Sequence, residues 1–395
     1  MSRQAGLYQW VSTVASHLSY LSQPQATVLG FWTFGMLALG SCGITSVAAL
    51  LAELLEQKEN TVRQRLREWY YEADQKRGTQ RREIDVTACF APLRQWVLAS
   101  WPSDECRLAL ALDATTLGQR FTVLAVCVLY RGCAIPVAWQ IVSGTQPGAW
   151  RPHWLKLFSL LGGALPASWT VIVLADRGLY APWLFRHIVR LGWHPFFRIN
   201  RGGKVRLAMG GYWRSLNHLV PAPGASWAGQ VRCFKNQPLD CTLLARWELQ
   251  YADPWLIVTN LVPAAGDACW YALRAWIECE FKDAKAGGWQ WQHTRVTDPD
   301  RATRFWLIIA VATLWAVNVG GAADAALPVS SFAALPPNHV ARQGPRPKTG
   351  HRQLSCLRRG WICVLAMLLR GVSIRLNPFL PEPWPNSHAA KIHLE

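Results

Sequence analysis

Along residues 33–57, TFGMLALGSCGITSVAALLAELLEQ, apolar residues return every three to four positions, the period of helices that bury one face. Gly40 and Gly43 interrupt the run. TSVAALLAELLEQ then reads as one amphipathic helix and KEN as a turn with Asn60 as its N-cap. TVRQRLREWYYEA follows as a second helix presenting Arg63, Gln64 and Arg67. Such a helix has the dimensions to enter a major groove, and a solvated basic helix in a bundle is the competing reading. The charged stretch ADQKRGTQRREID reads as a linker.

From Cys106 the period changes. RLALALDATTLG, RFTVLAVCVLY and AIPVAWQIVSG are apolar runs divided by short turns, which predicts an antiparallel meander. A helix is expected over Trp154 to Leu161. SWTVIVLADRGLY reads as a buried parallel strand ending at Asp176, APWLFRHIVRLG as a helix and HPFFRIN as a fifth strand. Three meandering strands followed by strand, helix, strand give an α/β fold, a mixed sheet with flanking helices in the ribonuclease H-like order. Residues 201–255 carry closely spaced turn signals between short strands and read as a β-rich insertion, with PWLIVTN leading back to the core. Beyond residue 326 the composition turns loop-like and basic before one last helix, QLSCLRRGWICVLAMLLRG, and a proline-rich end. That tail is expected to pack on the core or to touch a polyanion.

Charge narrows the partner. Lysine and arginine number 41 against 24 acidic residues, a formal charge of +17 that favours nucleic acid over small acidic substrates. The 11 cysteines form no C-x-x-C pair, so neither a disulfide framework nor structural zinc is expected, and a reducing cytoplasm fits. Phe305 to Val317 is the most membrane-like run, shorter than the roughly 20 residues a span needs, and predicts a buried helix with no membrane partner. Most of the 23 tryptophans are expected in packing.

Asp113 and Asp176 close two strands that the fold order makes neighbours, where ligands of open α/β sheets gather. Paired carboxylates repel unless a cation lies between them, and hard oxygen donors suit Mg²⁺ or Mn²⁺. A third carboxylate comes from YALRAWIECEFKDAK, residues 271–285. At about 100° per residue, Tyr271, Arg274, Glu278 and Lys285 share an arc of roughly 60°, while Glu280 falls about 200° from Glu278 on the packing side.

These residues carry a resemblance. The chain resembles DDE-type insertion-sequence transposases, the cut-and-paste bacterial branch with the signature Y-x2-R-x3-E-x6-K, met by Tyr271, Arg274, Glu278 and Lys285 at every spacing. LALDATTLG and VLADRGLY are similar to the strands of the two aspartates, and the likeness runs over roughly residues 30 to 386. It implies that Asp113, Asp176 and Glu278 are the catalytic, metal-binding triad for two Mg²⁺ or Mn²⁺ ions. It further implies cleavage at terminal inverted repeats through a hairpin, and joining of the 3′ ends to target DNA. Tyr271, Arg274, Lys285 and Arg177 would meet DNA at the site, and Arg63 and Arg67 would meet it in the amino-terminal region. The partners implied are double-stranded DNA and a second copy in a homodimeric synapse, in the cytoplasm at the nucleoid. Residues 1–105 then stand as a helical DNA-binding region and 106–200 with 256–325 as the catalytic domain. Residues 201–255 stand as the insertion and 326–395 as a helical tail. Two alternatives stay open: an inactive copy that only binds DNA, and a ribonuclease H-like structure-specific nuclease. Glu280 departs from the family's apolar or aromatic residue and predicts either a basic partner or a helix rotated or frayed there. Trp213, Trp227, Trp247 and Trp255 are equal candidates to hold an unstacked base.

Overall fold

The amino-terminal region is helical: α1 (Ala5–His17), α2 (Gln23–Leu39), α3 (Ile44–Leu55), α4 (Glu59–Arg67) and α5 (Phe90–Ala99). The computed structural model describes residues 4–78, 81–146, 148, 150–162, 165–166, 168–249, 251–325, 354–373 and 376–386. The basic stretch LPPNHVARQGPRPKTGHR lies outside them. Helix α2 is apolar all round because other helices cover it on several sides. A Cβ at Gly30 or Gly35 would come within 2.7 Å of Val11 or Val47, so these glycines let α1 and α3 approach closely.

The pair α3 and α4 departs from its sequence expectation at both ends of the second helix. Lys58, not Asn60, is the N-cap, and Asn60 lies in the first turn, where its side chain accepts from Arg63. The helix stops at Arg67 because Trp69 turns inward, its indole donating to the Arg304 carbonyl at 2.9 Å. Burial of that large ring outweighs continued helix on a polar surface.

The strands are β1 (Arg107–Leu117), β2 (Phe121–Tyr130) and β3 (Cys133–Ser143), then, after α6 (Arg151–Leu161), β4 (Thr170–Ala175). Helix α6 begins three residues before Trp154, with Pro152 in its first turn, where a missing N–H costs nothing. After α7 (Pro182–Arg190) come β5 (His194–Arg198), β6 (Lys204–Leu207), β7 (Gly210–Ser215), β8 (Ser226–Cys233), β9 (Leu239–Arg246) and β10 (Trp255–Thr259). Among the described residues they form one 10-stranded sheet in the order β3-β2-β1-β4-β5-β10-β9-β8-β6-β7. The block β3-β2-β1-β4-β5 is ribonuclease H-like: β1 pairs antiparallel with β2 and parallel with β4, and β4 pairs parallel with β5. The strands of residues 201–255 are not a detached unit. Strand β10 pairs antiparallel with β5, so the insertion prolongs the central sheet.

Helices α8 (Ala275–Lys282), α9 (Pro299–Asp324) and α10 (Cys356–Leu369) complete the layers. Helix α9 lies over β3 and against α2 and α10. It is long and apolar enough to cross a membrane, but 94% of its most apolar window is buried inside the protein, so it serves as a core helix. Helix α10 crosses it at Gly360, where a Cβ would stand 1.7 Å from the Ala316 carbonyl oxygen. Residues 376–386 strap the tail onto the core. Phe379 is fully buried between Tyr130 and Trp101, and its N–H donates to the Ser100 carbonyl at 2.6 Å. Glu382 and Asp324 each lie 3.5 Å from Arg131, and Trp384 packs on Trp270, 4.9 Å between centroids.

Candidate active site

Register places the two aspartates. The last β1–β4 pair is Ala111 with Leu174, and Asp113 and Asp176 each stand two residues further on, side by side where the two strands part; Asp176 follows the end of β4, but Asp113 does not end its strand, because β1 runs on to Leu117 in pairing with β2. Each is held by its own backbone: Asp113 Oδ1 accepts from Ala114 N at 2.8 Å, and Asp176 Oδ1 accepts from Gly178 N and Leu179 N at 2.9 and 3.1 Å. A Cβ at Gly178 would sit 3.2 Å from that oxygen, so glycine keeps the turn tight.

The signature segment is not one helix. Asp267 caps a 3₁₀ stretch, Ala268–Arg274; α8 follows, and Asp283–Gly287 widens into a π turn. In a 3₁₀ helix residues three apart eclipse, so Tyr271 stands directly over Arg274. Tyr271 is 6% exposed and packs edge-on against Trp255, so it does not present an open face to DNA. Burial raises its phenol to about 12, against the pull of Arg274 and Arg198. The first turn of α8 then puts Glu278 one turn beyond Arg274.

Arg274 is the centre of the constellation. Its Nη1 donates to Glu278 Oε1 at 2.5 Å, its Nη2 donates to Asp113 Oδ2 at 2.6 Å, and Asp176 Oδ2 lies 3.8 Å from the same Nη2. Three carboxylates from β1, the turn after β4, and α8 therefore converge on one guanidinium. Burial opposes the arginine's charge, but Asp113, Tyr271, Glu278 and Asp176 together hold its pKa above the ordinary value. Burial pushes Asp113 up to about 6 against Arg274 and the Ala114 amide, and the like charges of Asp176 and Glu278 push the same way. As they stand, no three acidic, His or Cys side chains among the described residues enclose a metal-sized space, because the guanidinium lies between the carboxylates. The donor set fits a divalent cation: three hard carboxylates already crowded around one positive charge suit Mg²⁺ or Mn²⁺.

Lys285 follows a different course from the straight-helix wheel. The π turn and the non-helical backbone at Lys285 aim its Nζ at Thr115 Oγ1 and the Thr116 carbonyl, 2.7 Å each. It therefore fixes β1 immediately beyond Asp113, and burial lowers its pKa. Arg177 is exposed on the turn after Asp176. Arg67 is exposed on α4, whereas Arg63 is tied to Asn60 and to Glu59, 3.9 Å away. Arg198, at the carboxyl end of β5, joins the rim beside Tyr271 and Arg177. Its place at a strand end, like that of Asp176, is the sequence signal that marks it.

Glu280 is 1% exposed, on the packing side. Burial raises its carboxyl well above the ordinary range and Asp283 and Cys133 add to the effect; no Lys or Arg pairs with it among the described residues. Neither expected explanation holds: α8 is neither rotated nor frayed at Glu280, and burial, not a basic partner, sets the state of this carboxyl. Of the four tryptophans, Trp255 is buried, Trp247 is committed to Tyr251 and Arg201, and Trp213 lies under Arg206; Trp227 is half-buried.

Residues 106–315, more than half of the chain, match the family described as Transposase DDE domain. The chain belongs to that family. The matched span holds both aspartates, the insertion and the Arg274–Glu278 segment of this transposase. Among solved structures, a cryo-EM piggyBac transposase synaptic complex with hairpin DNA is similar to it at 11% identity with a TM-score of 0.32, covering 99% of this chain and 87% of that one. No curated protein matches.

Proposed function

We propose that the chain is an active cut-and-paste DNA transposase of the Y-x2-R-x3-E-x6-K branch, with Asp113, Asp176 and Glu278 as its catalytic triad. The observation that carries this reading is the convergence of those three carboxylates on Arg274, inside the span that matches the family. The triad would hold two Mg²⁺ or Mn²⁺ ions, which when bound supply Lewis acidity at the attacking and leaving oxygens of an in-line displacement at phosphorus. Arg274 positions Glu278 against Asp113 and offers its guanidinium to a phosphate oxygen once cations take up the carboxylates' charge. Tyr271, eclipsed with Arg274 and packed on Trp255, backs that guanidinium, and Lys285 holds β1 so that Asp113 keeps its aim. Arg177, exposed beside Asp176, is placed to meet the phosphate backbone. In this reading α4, through Arg63 and Arg67, contributes to recognition of the terminal inverted repeats. Two copies meet in a synapse, cleavage passes through a hairpin, and the freed 3′ ends join target DNA at the nucleoid.

The test is cleavage of the element's own ends in Mn²⁺. Asp113→Asn, Asp176→Asn and Glu278→Gln are each expected to abolish it while leaving end binding intact, and Glu280→Gln is expected to cleave. Cleavage by Glu278→Gln with a dead Glu280→Gln would overturn the assignment. A wild-type protein that binds ends but never cuts them would leave a DNA-binding protein.

A further inference from the structure

Between Asp176 and Asp240 the chain carries no Asp or Glu, and those 63 residues hold ten Lys and Arg. The stretch contains the outermost part of the sheet, β6, β7 and β8. On β6 and β8, Arg206 and Arg232 stand directly opposite each other in register, a like-charge pair that an isolated sheet disfavours. Asp240 forks onto Arg232 alone, at 2.6 and 2.9 Å, and Arg206 lies over Trp213. A groove of about 570 Å³ runs over this row, lined by Arg206, Gln230, Arg232, Asp240, Thr242 and Asn260 among others. Beside it the β6–β7 hairpin lifts Met209 and Tyr212 almost wholly into solvent, 102% and 91% exposed, flanked by the exposed Lys204 and Arg214. The tip bends through Gly210 and Gly211 at φ of +105° and +98°, a path that favours glycine.

A large apolar or aromatic pair held at full exposure between cations, in a stretch with no acid, matches the needs of duplex DNA: charge for the phosphates and a wedge or stacking platform for the bases. We propose that the β6–β7 hairpin and its groove form a second DNA contact surface, remote from the carboxylates. This rests on the reading of the chain as a DNA transposase. Strands lie about 4.8 Å apart, so the six steps from β4 through β5, β10, β9, β8 and β6 to β7 carry the tip roughly 29 Å from Asp176. At about 3.4 Å per base pair, the hairpin meets the duplex some eight base pairs from the phosphate at the carboxylates.

The experiment uses the full chain and a labelled duplex of about three helical turns from the DNA flanking its gene. Lys204→Ser/Arg214→Ser is expected to reduce the slope of log affinity against log salt by about 1.8, two phosphates at ~0.9 each. Met209→Ser/Tyr212→Ser is expected to weaken binding about tenfold with the slope unchanged. It should also erase hydroxyl-radical protection about eight base pairs from the cut, leaving protection at the cut itself. All four side chains are exposed, so the fold is not at stake. Wild-type slope, affinity and footprint in both variants, from a protein that still cleaves, would overturn the hairpin surface and leave the transposase reading standing. If the tip variant instead shifts only the sedimentation of the protein alone, the surface docks a second copy and the DNA assignment falls. A wild-type chain that neither binds nor cuts any duplex removes the parent reading and this one with it.

Discussion

Removing the charge of Asp113 should make the metal-free protein more stable while destroying its chemistry. The folded protein raises this carboxyl from 3.8 to about 6, chiefly by burial, despite the hydrogen bond from Arg274. At 1.36 kcal/mol per pKa unit that gap is worth about 3 kcal/mol. This stabilisation is fully present below pH 3.8, where folded and unfolded chains both hold the proton. It is lost as pH rises from 3.8 to about 6, because the unfolded chain releases its proton first. Above that range the wild type carries the whole deficit and Asp113→Asn carries none. In EDTA at pH 7.5 the variant is therefore expected to be more stable by about 3 kcal/mol, or ~3–4 °C in the melting of a chain this size, and near pH 4 the two should melt alike. Scanning calorimetry of both proteins between pH 4 and 8 measures the difference. An Asp113→Asn protein that melts below wild type at pH 7.5 would mean that Arg274 more than compensates the buried charge, and the account of a site crowded with negative charge would fail.

Glu280→Met should be neutral or stabilising by about 1 kcal/mol in thermal melts and keep cleavage activity, since a buried acid without a basic partner costs more than an apolar side chain of similar size. Arg131→Met removes the cation that Asp324 and Glu382 share, while Arg359 stays 3.6 Å from Asp324, and should cost about 1–3 kcal/mol by urea titration. Gly360→Ala pushes a methyl group into the Ala316 carbonyl and should prise α10 from α9, read as lost hydrogen-exchange protection along α10. Arg63→Ala should weaken binding of the element's ends by gel shift; unchanged binding would move recognition elsewhere.

The core strands were legible because β2, β4 and the first half of β1 are buried on both faces and read as unbroken apolar runs, each of the two aspartates closing such a run, Asp176 beyond the end of β4 and Asp113 partway along β1. The relation of Arg274 to Glu278 was legible because spacing of four survives in α8. Lys285 was not, since a wheel assumes one rise and one twist, and this segment passes through 3₁₀, α and π geometry within twenty residues. Tyr271 lands near Arg274 as the wheel predicts, but its burial depends on Trp255, which arrives from a strand the periodicity says nothing about. The union of insertion and core in one sheet was hidden for the same reason: pairing β10 with β5 joins residues about sixty apart, and strand patterns do not name their partners. Neither end of α4 was legible: propensity favours Asn60 over Lys58 as the cap, and the far end is set by Trp69 reaching α9.

The strap over residues 376–386 also has a meaning in time. Trp384 leans on Trp270, next to Tyr271, and Phe379 closes over Tyr130 and Trp101, so the last described segment completes the packing behind the first strand and the signature turn. Trp384 follows Glu278 by 106 residues, which at ~5–20 residues per second is roughly 5–20 s of synthesis. All three carboxylates are thus made well before the ring that braces them. A nascent chain still on the ribosome would lack a finished site for that interval.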